Sequence, residues 1–147
     1  MRLFLAALLV LAAIVPASTQ TKPPLPADDL AGEWRGQWTS PSGYFFTTTL
    51  KLQVAADGTA QGQFVWLLLH TPLPQESKKL GMHGTEFVSG RVDKAAKSVT
   101  LAGTRKEDPD DVIFTDSYRM IVSENGRTMG GVSRNLGDWD GQIFLAR

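Results

Sequence analysis

Two carboxylic acids, Glu86 and Asp116, lie within stretches in which apolar and polar residues otherwise alternate. Glycosidases use such a pair of carboxyl groups, one on each side of a sugar cleft. The sequence contains no G-x-S-x-G motif and no other pairing of a nucleophile with a base. We therefore predict no catalytic residue. A small enzyme that uses Glu86 and Asp116 remains a third alternative, after the two binding functions described below.

His70 and His83 both border one long loop, but metal sites need three or four ligands, and neither H-x-H nor H-E-x-x-H spacing is present. The acidic run KEDPDD at 106–111 lacks the ligand spacing of an EF-hand and is interpreted as a solvated turn. The sequence therefore predicts no metal site and no cofactor.

Composition excludes several further classes of protein. Without Arg2, which lies in the N-terminal segment described next, the chain has 15 acidic residues against 15 − 1 = 14 basic ones, a net charge of −1. This balance does not indicate a nucleic-acid or membrane-surface partner. The chain has no cysteine, which excludes disulfides and thiolate zinc sites, so its core alone must stabilise the fold.

The N-terminus has the pattern of a secretory signal peptide. A basic Arg2 precedes the apolar run LFLAALLVLAAIV, and the small residues of VPAS follow it. We predict a signal peptide over 1–17, cleaved near Ala17, a proline-rich linker over 18–29 and one β-domain over 30–147. The mature protein is then exported, to the periplasm or the medium, and has no membrane partner after cleavage.

The domain reads as short alternating runs separated by turn signals such as ADG and ENG, which is typical of an all-β fold. The predicted strands span 32–39, 44–55, 59–70, 85–93, 98–104, 112–123, 128–134 and 139–146. Sequential antiparallel strands hide both sheet edges when they close into an up-and-down barrel. We predict a single eight-stranded antiparallel barrel, with a β-sandwich as the alternative.

The two ends of this barrel are predicted to differ. Connections at one end are short, at 55–58, 93–97 and 124–127, whereas the other end has those at 39–43, 71–84, 105–111 and 135–138. At the short-loop end, alternation turns these apolar residues inward: Trp34, Leu52, Val54, Val92, Val99, Val122 and Leu145. Towards the long-loop end, the inward set mixes aromatic and polar residues: Trp38, Phe46, Thr48, Trp66, Glu86, Asp116, Tyr118, Ser133 and Trp139.

Apolar walls with a few orienting polar groups are typical of a small-molecule pocket. We predict a non-catalytic barrel that binds a small apolar or amphipathic ligand through Trp38, Phe46, Thr48, Trp66, Glu86, Asp116, Tyr118 and Trp139. The alternative is a barrel with a filled core that acts as a protein-interaction or inhibitor module. Its motivation is the segment FVWLLL at 64–69, which is apolar on both faces.

Gly32-Glu33-Trp34 resembles the G-x-W motif that opens the first strand of lipocalins and their relatives, the calycins. The segment 44–64 is similar to the second and third strands of avidin-like proteins. The resemblance implies an eight-stranded ligand-carrying barrel in which Trp34 plugs the closed end. It also implies that a basic residue from the last strand, here Arg147, packs over that tryptophan.

Overall fold

The computed structural model describes residues 30–147, so the predicted signal peptide and linker lie outside the described residues. The strands are β1 (Gly32–Thr39), β2 (Phe45–Val54), β3 (Thr59–His70), β4 (His83–Asp93), β5 (Ser98–Glu107), β6 (Ser117–Val122), β7 (Thr128–Arg134) and β8 (Gly141–Ala146). A short 3-10 helix, Pro74–Lys79, lies between β3 and β4. Within 30–147, no helix is long and apolar enough to cross a membrane.

The eight strands form one closed antiparallel barrel in chain order, as predicted. Each strand pairs with the next, and β8 returns to pair with β1, so that Trp38 lies opposite Ile143. This last pairing removes both sheet edges and rules out the sandwich alternative.

The two ends of the barrel differ in their connections. The closed end carries the short connections 55–58, 94–97 and 123–127, and the open end carries 40–44, 71–82, 108–116 and 135–140.

The sixth strand is shorter than predicted. Residues 112–123 alternate like a strand, but β6 begins only at Ser117, and residues 112–116 belong to the preceding loop. The Asp108 carboxylate accepts hydrogen bonds from the backbone N–H groups of Val112 and Ile113 at 2.9 Å each. These two backbone donors are therefore satisfied without a partner strand. β5 meanwhile extends three residues further than predicted, to Glu107, along β4.

Trp34 fills the closed end. Its side chain is fully buried, and its Nε1–H donates to the Leu30 carbonyl at 3.0 Å. The Arg147 guanidinium lies 4.6 Å from the centre of the Trp34 ring, while its Nε donates to the Gly126 carbonyl at 3.0 Å. A buried indole with its donor satisfied and a cation on its face makes this end a solid plug.

Gly36, between Trp34 and Trp38 on β1, is required by the close approach of β8. A Cβ at this position would overlap the Phe144 carbonyl oxygen and lie 2.9 Å from the Leu145 Cα. The space between the two tryptophans is therefore taken by the backbone of β8, and it is not the floor of a cavity.

Candidate functional site

Two long connections at the open end are joined to each other and to the connection 40–44. The Lys79 ammonium, at the end of the 3-10 helix, donates to the Asp111 carbonyl at 2.6 Å. In the same segment, Glu76 accepts hydrogen bonds from the Tyr44 hydroxyl at 2.8 Å and from the Thr71 hydroxyl at 3.0 Å. These contacts hold the loops 71–82 and 108–116 in place around the mouth of the barrel.

The loop 108–116 is built around Asp108, whose side chain is fully buried. Burial alone would raise the pKa of Asp108, but hydrogen bonds from the backbone of Val112 and Ile113 and from Lys106 lower it below its ordinary value. The Lys106 ammonium also donates to the Ile113 carbonyl at 2.6 Å. This network turns Ile113 into the interior and leaves Phe114 68 % exposed at the rim.

The open end contains a cavity of about 300 Å³. Trp38 packs edge-to-face on Phe46, with ring centres 5.7 Å apart, and Phe46 packs edge-to-face on Trp66 at 6.2 Å. Below them, Phe64 is fully buried and stacks against Trp66 at 4.9 Å. A volume of this size is at the lower limit of small-molecule sites.

Glu86 is fully buried beside the cavity and accepts three hydrogen bonds. The Tyr118 hydroxyl donates to its Oε2 at 2.5 Å, the Trp66 indole N–H to the same oxygen at 3.2 Å, and the Asp116 backbone N–H to Oε1 at 2.7 Å. Burial raises the pKa of Glu86 to about 7, since these hydrogen bonds offset only part of the loss of hydration. Gly103 leaves room for this carboxyl, because a Cβ there would collide with Oε1.

Asp116 ends a second chain of hydrogen bonds. The Trp38 indole N–H donates to the Ser133 hydroxyl at 2.8 Å, and that hydroxyl donates to Asp116 Oδ2 at 2.8 Å. Burial raises the pKa of Asp116, the Ser133 hydrogen bond lowers it, and the charge of Asp140 raises it, so the net shift is upward. Gly141 leaves space for the Trp38 ring, because a Cβ there would lie 2.6 Å from Nε1.

The structure brings six of the eight predicted ligand-contact residues to this cavity. They are Trp38, Phe46, Trp66, Glu86, Asp116 and Tyr118. Thr48 faces inward and is buried, but it lies outside the cavity lining, and its hydroxyl donates to the Val65 carbonyl at 3.1 Å. Whether the six contact a ligand stays a prediction.

Trp139 was expected to face inward on the eighth strand, and this is wrong. β8 begins at Gly141, where pairing with Ser133 of β7 ends, so Trp139 precedes the strand. The guanidinium groups of Arg119 and Arg134 lie 4.1 and 4.8 Å from the centre of its ring. The interior position at this level is already occupied by Trp38, which packs over Gly141.

Sequence reasoning missed much of the lining that comes from the loops. Tyr44, Glu76, Lys79, Ile113, Phe114 and Asp140 all border the cavity. The three apolar residues Val112 to Phe114 follow an acidic run and could have indicated a loop that lines the interior. The alternation over 112–123 indicated a strand instead. Among residues 30–147, no group of three or more histidine, aspartate or glutamate side chains is placed to hold a metal ion.

Comparisons with known proteins show similarity in fold. Neither the known protein families nor the curated proteins give a match to this chain. A solved structure of a redesigned beta barrel, mFAP1, bound to DFHBI, is 13% identical with a TM-score of 0.61 and covers 83% of this chain and 98% of that one. That of a redesigned beta barrel, mFAP0, bound to DFHBI, is 14% identical with a TM-score of 0.56 and covers 81% and 99%.

Proposed function

We propose that this chain is an exported, non-catalytic barrel that binds a small apolar or amphipathic ligand in the cavity at its open end. The observation that carries the proposal is the asymmetry of the interior. The closed end is filled by buried apolar side chains such as Trp34 and Leu145, whereas the open end has a cavity of about 300 Å³. Aromatic walls bordered by carboxyl groups are typical of a ligand pocket.

The structural neighbours support this proposal. Both are barrels of the same architecture that carry a small molecule, DFHBI. The position of Arg147 over Trp34, at 4.6 Å, further supports a proposed relationship to the calycins.

The segment 1–17, proposed to be a signal peptide, supports export. Intact-mass analysis of the exported full-length gene product should give a chain that begins near Ser18, and retention of Met1 would contradict export by this route.

The binding proposal is tested by filling the cavity from its edge. Val112 lies half-buried in the lining, so Val112→Trp places a large ring in the mouth. Val65→Trp adds the same volume on the outer face of β3, where Val65 is 37 % exposed, and is the matched control. A panel of lipophiles and metabolites is screened by tryptophan fluorescence and calorimetry on all three proteins.

The expected result is at least one ligand whose affinity falls about tenfold or more in Val112→Trp and stays within about twofold in Val65→Trp. Thermal unfolding checks that both variants fold. If no compound binds the unchanged protein, or if both variants bind equally well, the cavity is not the binding site.

A second candidate function is protein interaction, with or without a ligand. The alternative of a completely filled core does not fit the cavity, but the outward apolar residues on β3 remain, with Val65 37 % and Leu69 45 % exposed. Large exposed apolar patches mark interaction surfaces. Two results together would contradict this function. The protein would sediment as a monomer, and the unchanged protein would capture no partner that the Leu69→Lys variant fails to capture.

An enzyme that uses Glu86 and Asp116 is the third candidate. The pKa of about 7 on buried Glu86 favours it, since acid–base catalysis works best near the ambient pH. Against it, both oxygens of Glu86 already accept hydrogen bonds from the protein. Any turnover that survives both Glu86→Gln and Asp116→Asn would remove this candidate.

A further inference from the structure

We propose that the ligand of the open-end cavity is a small organic cation: a protonated amine with at least one N–H donor and an apolar body. This inference rests on the proposed binding function and names the class of ligand. It follows from the charges that line the cavity, from the open Oδ1 of Asp116, and from the aromatic walls.

Acidic side chains dominate the lining. Five carboxyl groups border the cavity, against two cations, Lys79 and Arg134; the acids are Glu76, Glu86, Asp111, Asp116 and Asp140. One of these acids, Asp111, is paired with the Lys106 ammonium at 3.1 Å, so four carboxyl groups face the two cations. The Lys79 ammonium donates to the Asp111 carbonyl at 2.6 Å, and the Arg134 guanidinium lies over the ring of Trp139, a residue that is not part of the cavity lining. A concave site lined by one sign of charge concentrates ligands of the opposite sign.

Asp116 provides the acceptor for the ammonium group. Its Oδ2 accepts the Ser133 hydroxyl at 2.8 Å, while its Oδ1 has no hydrogen-bond partner among residues 30–147. Glu86 differs, because its two oxygens together accept three hydrogen bonds from the protein. An N–H⁺ group in the cavity can therefore bind Asp116 Oδ1, and such charge-assisted hydrogen bonds are the strong ones. Asp140 lies close enough to act on Asp116 by its charge and also lines the cavity, so it adds to the attraction for a cation.

Aromatic rings supply the second half of the recognition. The edge-to-face contacts of Phe46 with Trp38, at 71°, and with Trp66, at 84°, set neighbouring walls nearly at right angles. A cation near such rings is attracted by their negative faces, and an apolar body gains from leaving water. An anionic ligand would meet the same rings together with an excess of carboxyl groups over cations in the lining.

The test uses three probes with one skeleton and different charges: 2-phenylethylamine, 2-phenylethanol and phenylacetate. Calorimetry at pH 8 and low salt compares their affinities for the unchanged protein. We expect the amine to bind about tenfold or more tightly than the alcohol, and phenylacetate to bind least. Asp116→Asn should reduce the preference for the amine about tenfold while leaving the affinity for the alcohol within about twofold.

Asp138→Asn is the matched control, because it removes the same charge from an exposed residue in the mouth loop 135–140 that does not line the cavity. It should leave the preference for the amine within about twofold.

Equal affinities for amine and alcohol, or tighter binding of phenylacetate, would overturn the cation inference and leave the binding function intact. Equal losses in Asp116→Asn and Asp138→Asn would overturn the role of Asp116. If none of the three probes binds while a neutral or anionic compound of the panel does, the inference fails alone. If nothing binds, the proposed function fails with it. The comparison of probes needs no variant, so a poorly folding Asp116→Asn would not prevent a decision.

Discussion

Tryptophan indoles occupy both ends of the barrel, but their N–H groups have different partners. At the closed end, Trp34 donates to a backbone carbonyl, that of Leu30. At the open end, Trp38 donates to the Ser133 hydroxyl and Trp66 to the Glu86 carboxyl. A carbonyl acceptor fixes a ring and does not change with pH, whereas the partners at the open end lead to two carboxyl groups with raised pKa values. Burial of the tryptophan at the closed end therefore stabilises the fold. Burial at the open end raises the pKa values of two carboxyl groups.

The largest expected effect comes from Trp34→Ala. The ring is fully buried, so its removal should lower the free energy of unfolding by about 3–5 kcal/mol. The affinity for 2-phenylethylamine should stay within about twofold, because the cavity is at the other end. Trp38→Ala, from a half-buried ring in the cavity lining, should cost less stability and more affinity. Urea unfolding and calorimetry measure both quantities, and equal losses in both variants would remove the distinction between the ends.

The second effect is the pH dependence of stability caused by Glu86. Its pKa is about 7 in the folded protein against an ordinary 4.5, so the folded chain keeps a proton that the unfolded chain releases between these values. The contribution of Glu86 to stability is therefore most favourable below pH 4.5, falls as the pH rises towards 7, and is constant above, about 3 kcal/mol lower.

Glu86→Gln cannot ionise, so the stability of this variant relative to the unchanged protein should rise by about 3 kcal/mol between pH 4.5 and 8. Urea unfolding across this range measures the difference. In the variant, the amide N–H₂ of Gln faces a hydrogen-bond donor of the protein, and this contact lowers the free energy of unfolding. The loss does not depend on pH, so the change with pH is the quantity to compare. Glu33→Gln, on the outer face of β1, should show no comparable rise. If the free energies of unfolding of Glu86→Gln and the unchanged protein change in parallel with pH, the pKa of Glu86 is not raised in the folded protein.

Ser133→Ala gives a smaller effect at the open end. The side chain is fully buried, and its loss leaves both the Trp38 N–H and Asp116 Oδ2 without their partner. We expect about 1–3 kcal/mol less stability and a weakened affinity for 2-phenylethylamine. Thr48→Val is the comparison, because it removes a buried hydroxyl that lies outside the cavity lining. It should leave the affinity unchanged, and a similar loss of affinity in both variants would argue against a specific role for the Ser133 chain.

The smallest effect is expected from Arg147→Met at the closed end. The variant keeps much of the chain length and loses both the cation over Trp34 and the hydrogen bond to the Gly126 carbonyl. Thermal unfolding should show about 1 kcal/mol less stability. Arg35→Met, whose side chain is 78% exposed and pairs with Glu33, should change stability less. The reverse order would mean that Arg147 does not stabilise the plug.

Alternation in the sequence was enough to predict the barrel, and the bounds of β1, β3 and β7 match their predicted ranges. It assigns a residue to a face but does not say where pairing between strands stops. This is why Trp139, two residues before β8, was placed inside. It is also why 112–116 was predicted as strand, although Asp108 binds the backbone N–H groups of Val112 and Ile113. Contacts between distant loops, such as Tyr44 with Glu76, leave no periodic signal at all.

The central claim is that the open end binds a ligand and the closed end does not. The chain has four tryptophans, and their indole N–H signals report on both ends and on the outer surface in one heteronuclear NMR titration. On addition of 2-phenylethylamine, and in parallel of 2-phenylethanol, the signals of Trp38 and Trp66 should shift and saturate, while those of Trp34 and Trp139 should not move. Saturable shifts at Trp34 or Trp139, or no shift at Trp38 and Trp66 with these two compounds or with any compound of the panel, would contradict it.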